Sequence, residues 1–492
     1  MNTMKLTLNT YILSFKKIFV LAGMAITFAS CQKEALDVAP LTSISGDEAY
    51  STPAKITAQV NALYGQLSDA SYFGGRNIIF NEQRGNEFSQ NDGNNSTGAN
   101  VWNQTISASG DFVNAVWNAA YRSINSANIL IDKLNASSVV ADGLKKNYIA
   151  EAKFVRAFSY FTLVQTYAKP FNQNNAGVGL PLRLTGETGG GNNDLVFSTV
   201  AQVYSQILKD LNEAEVDLPA AYGTALLNVS RAHKASAIAL KTRVYLVKSD
   251  YDGVISEASK MVPAAAPYQY SSGTLTHSLD SDVSRVFNGS YTGTEAIFTL
   301  PFVIASETPG QQSALAYNYL APVLYLNTNG GIVNDPVFSP TSVDQRKALV
   351  QTNGIGQQLL RKFSRNAAPY FDYIPLIRYA EVLLNYAEAA AQKDDLSTAL
   401  NLLKAVRNRS NPAYVFTSGV ALKPDLLQTI YNERRIELLG EGFRTPDLFR
   451  RKLALPAKTG NAGTAPEILP TASNYVWPIP SGELAYNKLA PR

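Results

Sequence analysis

Residues 149–171 read IAEAKFVRAFSYFTLVQTYAKPF, and their spacing is helical. Within Lys145–Tyr167, Ala152, Val155, Ser159 and Thr162 recur at three- and four-residue steps as a narrow stripe of small side chains, flanked by Phe154, Phe158 and Phe161. Such a stripe lets a second helix approach closely while the phenylalanines bury apolar area beside it. Pro170 ends the run, because proline lacks the N–H that another turn would need. A long helix packed tightly against a neighbour is the expectation.

The same period extends outward on both sides. Gly46–Leu67, Asp111–Leu134 and Ser198–Leu218 read as helices, the last stopped by Pro219. Ser230–Lys248 opens with serine as its N-cap, and Tyr251–Met261 completes a helical hairpin after the tight Ser249-Asp250 connection. From Val262 to Tyr370 the pattern breaks down into Gly, Asn, Ser, Thr and Pro, with tyrosines recurring from Tyr268 to Tyr325 and one strand-like run, Ala296–Pro301. A long irregular insertion in a helical protein is usually functional. Helix returns at Pro375–Ala391, with proline in the first turn, and continues in Leu396–Arg407 and Lys423–Leu439 before an irregular tail through Asn487. Paired helices with alanine-rich faces (Ala235, Ala237, Ala239; Ala387, Ala389, Ala390) predict a mainly all-α fold, a tetratricopeptide-like α-solenoid of helical hairpins. No clean repeat consensus accompanies that shape. The expected organisation is a helical part at 46–261 containing a ligand loop at 70–110, a loop-rich ligand-binding insertion at 262–370, and a C-terminal helical part at 371–492 co-folded with the first.

The N-terminus has its own logic. Lys5, Lys16 and Lys17 precede an uncharged run from Ile18 to Ser30, the layout of a secretory signal peptide over 1–30. The run is shorter than the roughly 20 apolar residues of a membrane span. Cys31 follows Phe28-Ala29-Ser30 and is the only cysteine, so it has no internal disulfide partner. This looks like a bacterial lipobox, which implies cleavage before Cys31, acylation of its thiol, and a polar 31–45 linker to the folded body. An ordinary secretory signal with a chance cysteine is the alternative.

Composition excludes several functions. A net charge of +4 over 492 residues offers no footprint for nucleic acid. Two histidines and one cysteine leave few ligands for zinc and little for histidine-based catalysis, so neither a metal nor a cofactor is expected. The 26 tyrosines point instead to contact surfaces that stay wet, since each offers a flat apolar face and a polar tip.

Charges concentrate at Glu433, Arg434, Arg435, Glu437, Glu441, Arg444, Asp447 and Arg450. Glu437 and Glu441 lie four apart and could form a glycosidase carboxylate pair. The neighbouring arginines favour ionised carboxylates and spoil a general acid, so an ion-pair network is the preferred reading. Glu151 with Arg156, and Arg378 with Glu381, are read the same way. Trp117, Tyr121 and Asn128 share a helix face as packing residues, and Trp477 is structural. Between Tyr72 and Asn103, aromatics (Tyr72, Phe73, Phe80, Phe88, Trp102) interleave with Arg76, Arg84, Asn86, Asn91 and Asn103. Sugar binding needs that mixture, an aromatic face for the ring and amide or guanidinium groups for its hydroxyls. A long loop with a few buried aromatics is the alternative.

Several phrases in order resemble the SusD/RagB family: the opening helix, ILKDLNEAEVDLP followed by SRAHKASAIALKTRVYL, IPLIRYAEVLLNYAEAAA, IYNERRIELLGEGFRTPDLFRR and VWPIPSGELAYNKLAP. The resemblance implies an outer-membrane lipoprotein, held by Cys31, with Lys33 and Glu34 loosely resembling a surface-export signal. It implies a binder rather than a hydrolase, one that captures oligosaccharides or peptides for a SusC-like TonB-dependent transporter. It also places the ligand face in the 70–110 loop and the insertion. Arg84, Trp102 and Asn103 rank first as contacts, with Tyr72 and Asn86 beside them and Tyr291, Tyr317, Tyr319 and Tyr325 second. Glycan capture is the expected function, with an all-α glycoside hydrolase or a peptide-binding scaffold as alternatives.

Overall fold

In the computed structural model, which describes residues 46–191 and 193–492, the stretch quoted above lies in one helix, Asp142–Tyr167. The signal segment, Cys31 and the 31–45 linker lie outside the described residues. Every side chain from Ala150 to Val164 except Lys153 is buried. The small-residue stripe therefore understates this helix, which is covered on all sides.

The longer helices are α1 (Pro53–Leu67), α2 (Arg76–Arg84), α3 (Asp111–Asn135), α4 (Asp142–Tyr167), α5 (Val200–Asp217), α6 (Lys234–Val247), α7 (Tyr251–Ala258), α8 (Tyr379–Gln392), α9 (Leu396–Ser410), α10 (Lys423–Glu437) and α11 (Arg444–Arg450). Consecutive members pack in a row: α3 on α4, α4 on α5, α5 on α6 and α6 on α7. The chain then leaves for the insertion and returns with α8 packed on α7, and α9 and α10 complete the row. The fold is mainly all-α, a solenoid-like series of helical hairpins. Residues Thr57–Arg492 form one compact unit. No helix among the described residues is long and apolar enough to cross a membrane.

Local chemistry sets the ends. Thr199 caps α5: its hydroxyl accepts from Gln202 N–H, and the Gln202 side chain accepts from Thr199 N–H. At the α6–α7 hairpin a Cβ on Gly253 would meet the Tyr245 ring at 2.5 Å, so glycine sets how closely the two helices approach. The expected helix at Gly46 begins instead at Pro53, where Thr52 Oγ1 accepts from Lys55 N–H. Ser230 is not an N-cap. It closes a short helix, Ala225–Ser230, and α6 starts after His233, because Arg231 turns inward to bind Glu151.

Ten short strands, β1 (Phe88–Gln90), β2 (Tyr270–Ser272), β3 (Leu275–His277), β4 (Ala296–Leu300), β5 (Leu324–Leu326), β6 (Val350–Thr352), β7 (Gln358–Leu360), β8 (Ile374–Arg378), β9 (Lys458–Gly460) and β10 (Gly463–Ala465), form antiparallel pairs among the described residues. Antiparallel β4–β8 joins the two ends of the insertion, with Leu300 opposite Ile374 and Ala296 opposite Arg378. Phe298 of β4 inserts between Phe154 and Phe158 of α4, at ring distances of 5.4 and 6.3 Å. Pro375 is thus in a strand and not in the first turn of a helix. It sits in a two-stranded pair beside a register shift, where proline is tolerated. β1 pairs with β5, tying the 70–110 loop to the insertion.

The tail is more ordered than its composition suggests, with α11, the β9–β10 hairpin and the helix Ser481–Tyr486. It also closes the N-terminal half. Trp477 N–H donates to Thr166 O at 2.9 Å. Arg84 Nη2 donates to the Asn474 and Tyr475 carbonyls at 2.9 and 3.1 Å. The Lys458 ammonium donates to the Gln83 and Gly85 carbonyls.

Candidate functional site

Most of the expected ligand contacts in the 70–110 loop are core. Trp102 is fully buried, its Nε1 donating to Phe88 O at 3.0 Å and the Lys458 ammonium lying 5.2 Å from its ring. Arg84 is buried too, bound to Gln104 and to the tail carbonyls, and burial lowers its proton affinity to about 9. Tyr72 is enclosed against Phe73, with ring centroids 4.4 Å apart. Asn86 donates to Gly330 O and accepts from Arg444 Nε. Tyr319 stacks on Phe88 at 5.0 Å while its hydroxyl donates to Gly440 O. These five side chains have no free surface for a ligand. β5 and the β9–β10 hairpin close over β1 from distant parts of the chain, while Ser159 and Thr162 of α4 enclose the Tyr72 hydroxyl. Asn103 is half-buried, and its Oδ1 accepts from Thr105 N–H and Oγ1 within a local turn.

The other three tyrosines, Tyr291, Tyr317 and Tyr325, are half-exposed. Tyr291 lines a cleft of about 280 Å³ with Phe302, Val303, Arg365, Phe371 and Tyr373. Tyr373 forms the back wall: buried, it meets Tyr291 edge-on at 5.4 Å and donates to Gly289 O at 2.7 Å. The Arg365 guanidinium lies 4.9 Å from the Tyr373 ring and donates weakly to Phe287 O, which leaves hydrogen-bonding capacity at the cleft. Phe371 is half-buried and Val303 is 52% exposed. Tyr317 meets Tyr370, the residue before Phe371, edge-on at 6.4 Å. The arrangement offers flat apolar faces beside a planar cation, with a volume just below the ~300–1,000 Å³ range of ligand pockets. Phe371, Tyr373 and Arg365 escaped the sequence reading, although Tyr370-Phe371-Asp372-Tyr373 packs three aromatics into four residues.

Tyr325 belongs to a second, amide-rich patch. Its hydroxyl accepts from Asn461 N–H at 3.1 Å, and Asn91 Oδ1 accepts from both Asn461 Nδ2 and Gln357 Nε2, at 2.9 and 3.1 Å. The 70–110 loop, the insertion and the β9–β10 turn meet there.

The carboxylates follow a different pattern. Glu433 and Glu437 are fully buried. Arg346 bridges both, at 2.6 and 3.0 Å, and also holds Asp344. Arg378 contacts Glu295, Glu437 and Glu441, each at 2.7 Å, and Lys362 binds Glu441 at 2.6 Å. Arg407 pairs with Glu433, and Arg409 with Glu295 and Glu437. Burial pushes the Glu437 carboxyl up, but Arg409, Arg378 and Arg346 together outweigh it and hold the group well below the usual carboxylate range. A carboxylate so held cannot deliver a proton as a general acid. The partners differ from two sequence pairings: Glu151 binds Arg231 while Arg156 binds Asp210, and Glu381 binds Arg243 rather than Arg378. Among the described residues, no group of three His, Cys, Asp or Glu side chains could hold a metal ion.

The family profile described as starch-binding associating with outer membrane matches residues 35–246, and the SusD family profile matches residues 334–489. A SusD superfamily protein from Bacteroides fragilis is 31% identical, with a TM-score of 0.81 over 90% of this chain and 99% of its own. SusD-like protein P2 of Formosa agariphila is 25% identical over 94% of this chain and 96% of that protein. A laminarin-binding SusD-like protein shares the fold, at 21% identity and a TM-score of 0.68, over 89% of this chain and 98% of its own. With both halves matched and a relative covered almost end to end, the chain belongs to the SusD family.

Proposed function

We propose that this protein captures oligosaccharides at the Tyr291–Phe371 cleft, held to the outer membrane by a lipid on Cys31, and passes them to a SusC-like TonB-dependent transporter. The observation that carries this reading is a solvent-facing aromatic cleft with a guanidinium on its wall, in a chain of the SusD family. A sugar ring stacks its C–H face on Tyr291 or Phe371 while Arg365 donates to its hydroxyls. The laminarin-binding relative supports a glycan as the ligand class. Binding involves no covalent step, which accords with Glu437 being held ionised among arginines rather than poised as an acid. The amide patch around Tyr325 is a further wet surface for hydroxyls.

The test is calorimetric titration with a panel of neutral oligosaccharides. Tyr291→Ala and Phe371→Ala should each weaken binding about thirtyfold, the ~2 kcal/mol of a hot-spot aromatic. Unchanged affinity in both variants, at unchanged melting temperature, refutes the cleft, and release of reducing ends from any member refutes a pure binder. Extraction of native membranes in mild detergent should recover the protein with a large β-barrel transporter, and repeated recovery alone counts against the partnership.

A further inference from the structure

A larger groove, of about 500 Å³, lies on the outer face of α3 and shares no residue with the Tyr291 cleft. Trp117, Tyr121 and Asn125 recur every four residues along its floor, with Asn118 and Arg122 one position on. Its far wall carries Arg183, Glu187 and, on the helix Ser481–Tyr486, Glu483 and Tyr486. The sequence reading assigned Trp117 and Tyr121 to packing. Trp117 is buried, but Tyr121 is half-exposed, 4.8 Å from Trp117, and Tyr486 stands 75% exposed on the opposite lip.

The polar groups of the groove are preset. Asn125 donates to Glu187 O and accepts from Glu187 N–H, both at 2.8 Å. Arg183 donates to Glu187 Oε1 and to Asn193 O, both at 2.9 Å. Tyr121 donates to Pro181 O. Side chains fixed in this way lose little freedom on binding, which favours affinity. Arg122 pairs with Asp69 at 2.6 Å, and Arg183 lies between Glu187 at 2.9 Å and Glu483 at 3.8 Å, so the two guanidiniums are already matched by carboxylates and the groove carries no spare positive charge. That balance disfavours a phosphate, a lipid headgroup or an acidic peptide. Aromatic faces on both sides, planar donors and acceptors between them, and a volume inside the ~300–1,000 Å³ range of ligand sites describe a receptor for a polyhydroxylated neutral molecule.

We infer that this groove is a second saccharide site, which takes a neutral oligosaccharide with one ring stacked on Tyr486 and hydroxyls directed to Asn118 and Arg122. The inference does not rest on the Tyr291 cleft. A chain with two such sites holds a long glycan at two points, which raises its effective concentration at each.

The probe is a panel of laminarihexaose, maltoheptaose, cellohexaose, xylohexaose and mannohexaose, titrated by calorimetry against the full chain. The Tyr291→Ala/Phe371→Ala double variant isolates the groove. It should still bind at least one member, and adding Tyr486→Ala should weaken that binding at least tenfold at unchanged melting temperature. Asn118→Trp, which fills the groove from an exposed position, should do the same. Binding by the double variant that Tyr486→Ala and Asn118→Trp leave intact overturns the inference, as does no binding of any panel member by the double variant. If Tyr486→Ala instead leaves glycan binding intact and abolishes recovery of a β-barrel partner from native membranes, the groove is a protein contact and the saccharide assignment falls. A double variant that binds as tightly as wild type but loses affinity with Tyr486→Ala would refute the cleft and leave the groove standing.

Discussion

Arg378→Ala tests whether the buried charge network fastens the insertion to the C-terminal helices. The side chain is 1% exposed and sits on β8 at the junction with α8. It meets three carboxylates at 2.7 Å and donates to the Glu437 carbonyl at 2.6 Å. Removing one partner of a buried ion pair costs roughly 3–5 kcal/mol. Here Glu437 keeps Arg346 and Arg409, Glu295 keeps Arg409, and Glu441 keeps Lys362, so none is stripped bare. The lower end, about 3 kcal/mol, therefore applies. An unfolding entropy of ~2.1 cal/mol/K per residue, summed over Thr57–Arg492, gives ~0.9 kcal/mol/K, so the melting temperature should fall by about 3 °C. Scanning calorimetry at pH 7 reads this directly. Arg378→Lys should restore only part of the loss, because one ammonium cannot fork to three carboxylates. The comparator is Lys209→Ala at the exposed Lys209–Glu213 pair, worth roughly 0.5 kcal/mol or less. If Arg378→Ala melts as the wild type does, or no lower than Lys209→Ala, the network is not what fastens the insertion.

Three further outcomes follow from burial and from the N-terminal sequence. Trp102→Ala should lower stability by about 3–5 kcal/mol, as for a core tryptophan, seen as a fall of about 3–6 °C in melting temperature; an unchanged melting curve would return Trp102 to the surface. Glu82 is buried with Oε1 on Gly442 N–H and Oε2 without a partner, and burial, which outweighs that N–H and is reinforced by Glu87, raises its proton affinity to about 8 from 4.5. The folded chain then keeps a proton that the unfolded chain releases, so this group's contribution is full below pH 4.5 and is lost as pH rises toward 8. Glu82→Gln should accordingly gain on wild type in stability between pH 4.5 and 8, by up to a few kcal/mol, followed as the difference in melting temperature; a difference that does not change with pH contradicts the raised affinity. Cys31→Ser should abolish labelling by radioactive palmitate, and equal labelling of the variant would exclude Cys31 as the lipid site.

The helical row was largely legible because its apolar spacing is local: α3, α4, α5 and α9 lie within a few residues of their sequence readings. Pro375 misled because Ile374–Arg378 runs without a break into α8, and only pairing with β4, some 75 positions earlier in the chain, makes it a strand. The loop aromatics misled for a related reason. Trp102 has polar neighbours in sequence but is covered by Phe88 and Lys458, and nothing within ten residues of it signals the second. The acids were recognised as ion-paired, yet their partners, such as Arg231 for Glu151, are set by helix packing rather than spacing. Of the expected contacts, Asn103 in the loop and Tyr291, Tyr317 and Tyr325 in the insertion keep exposed surface, and the insertion is the segment that composition alone had marked as irregular.

The seal between the tail and α2 also orders events in time. The Arg84 bonds to Asn474 and Tyr475 span 390 and 391 positions, and the Lys458 bonds to Gln83 and Gly85 span 375 and 373. A ribosome builds the chain from the other end, so α2 waits for its last partners until almost the whole polypeptide has emerged. Contacts this distant in sequence close slowly. A nascent chain stopped before residue 458 would leave Arg84 and the carbonyls of Gln83 and Gly85 without these partners.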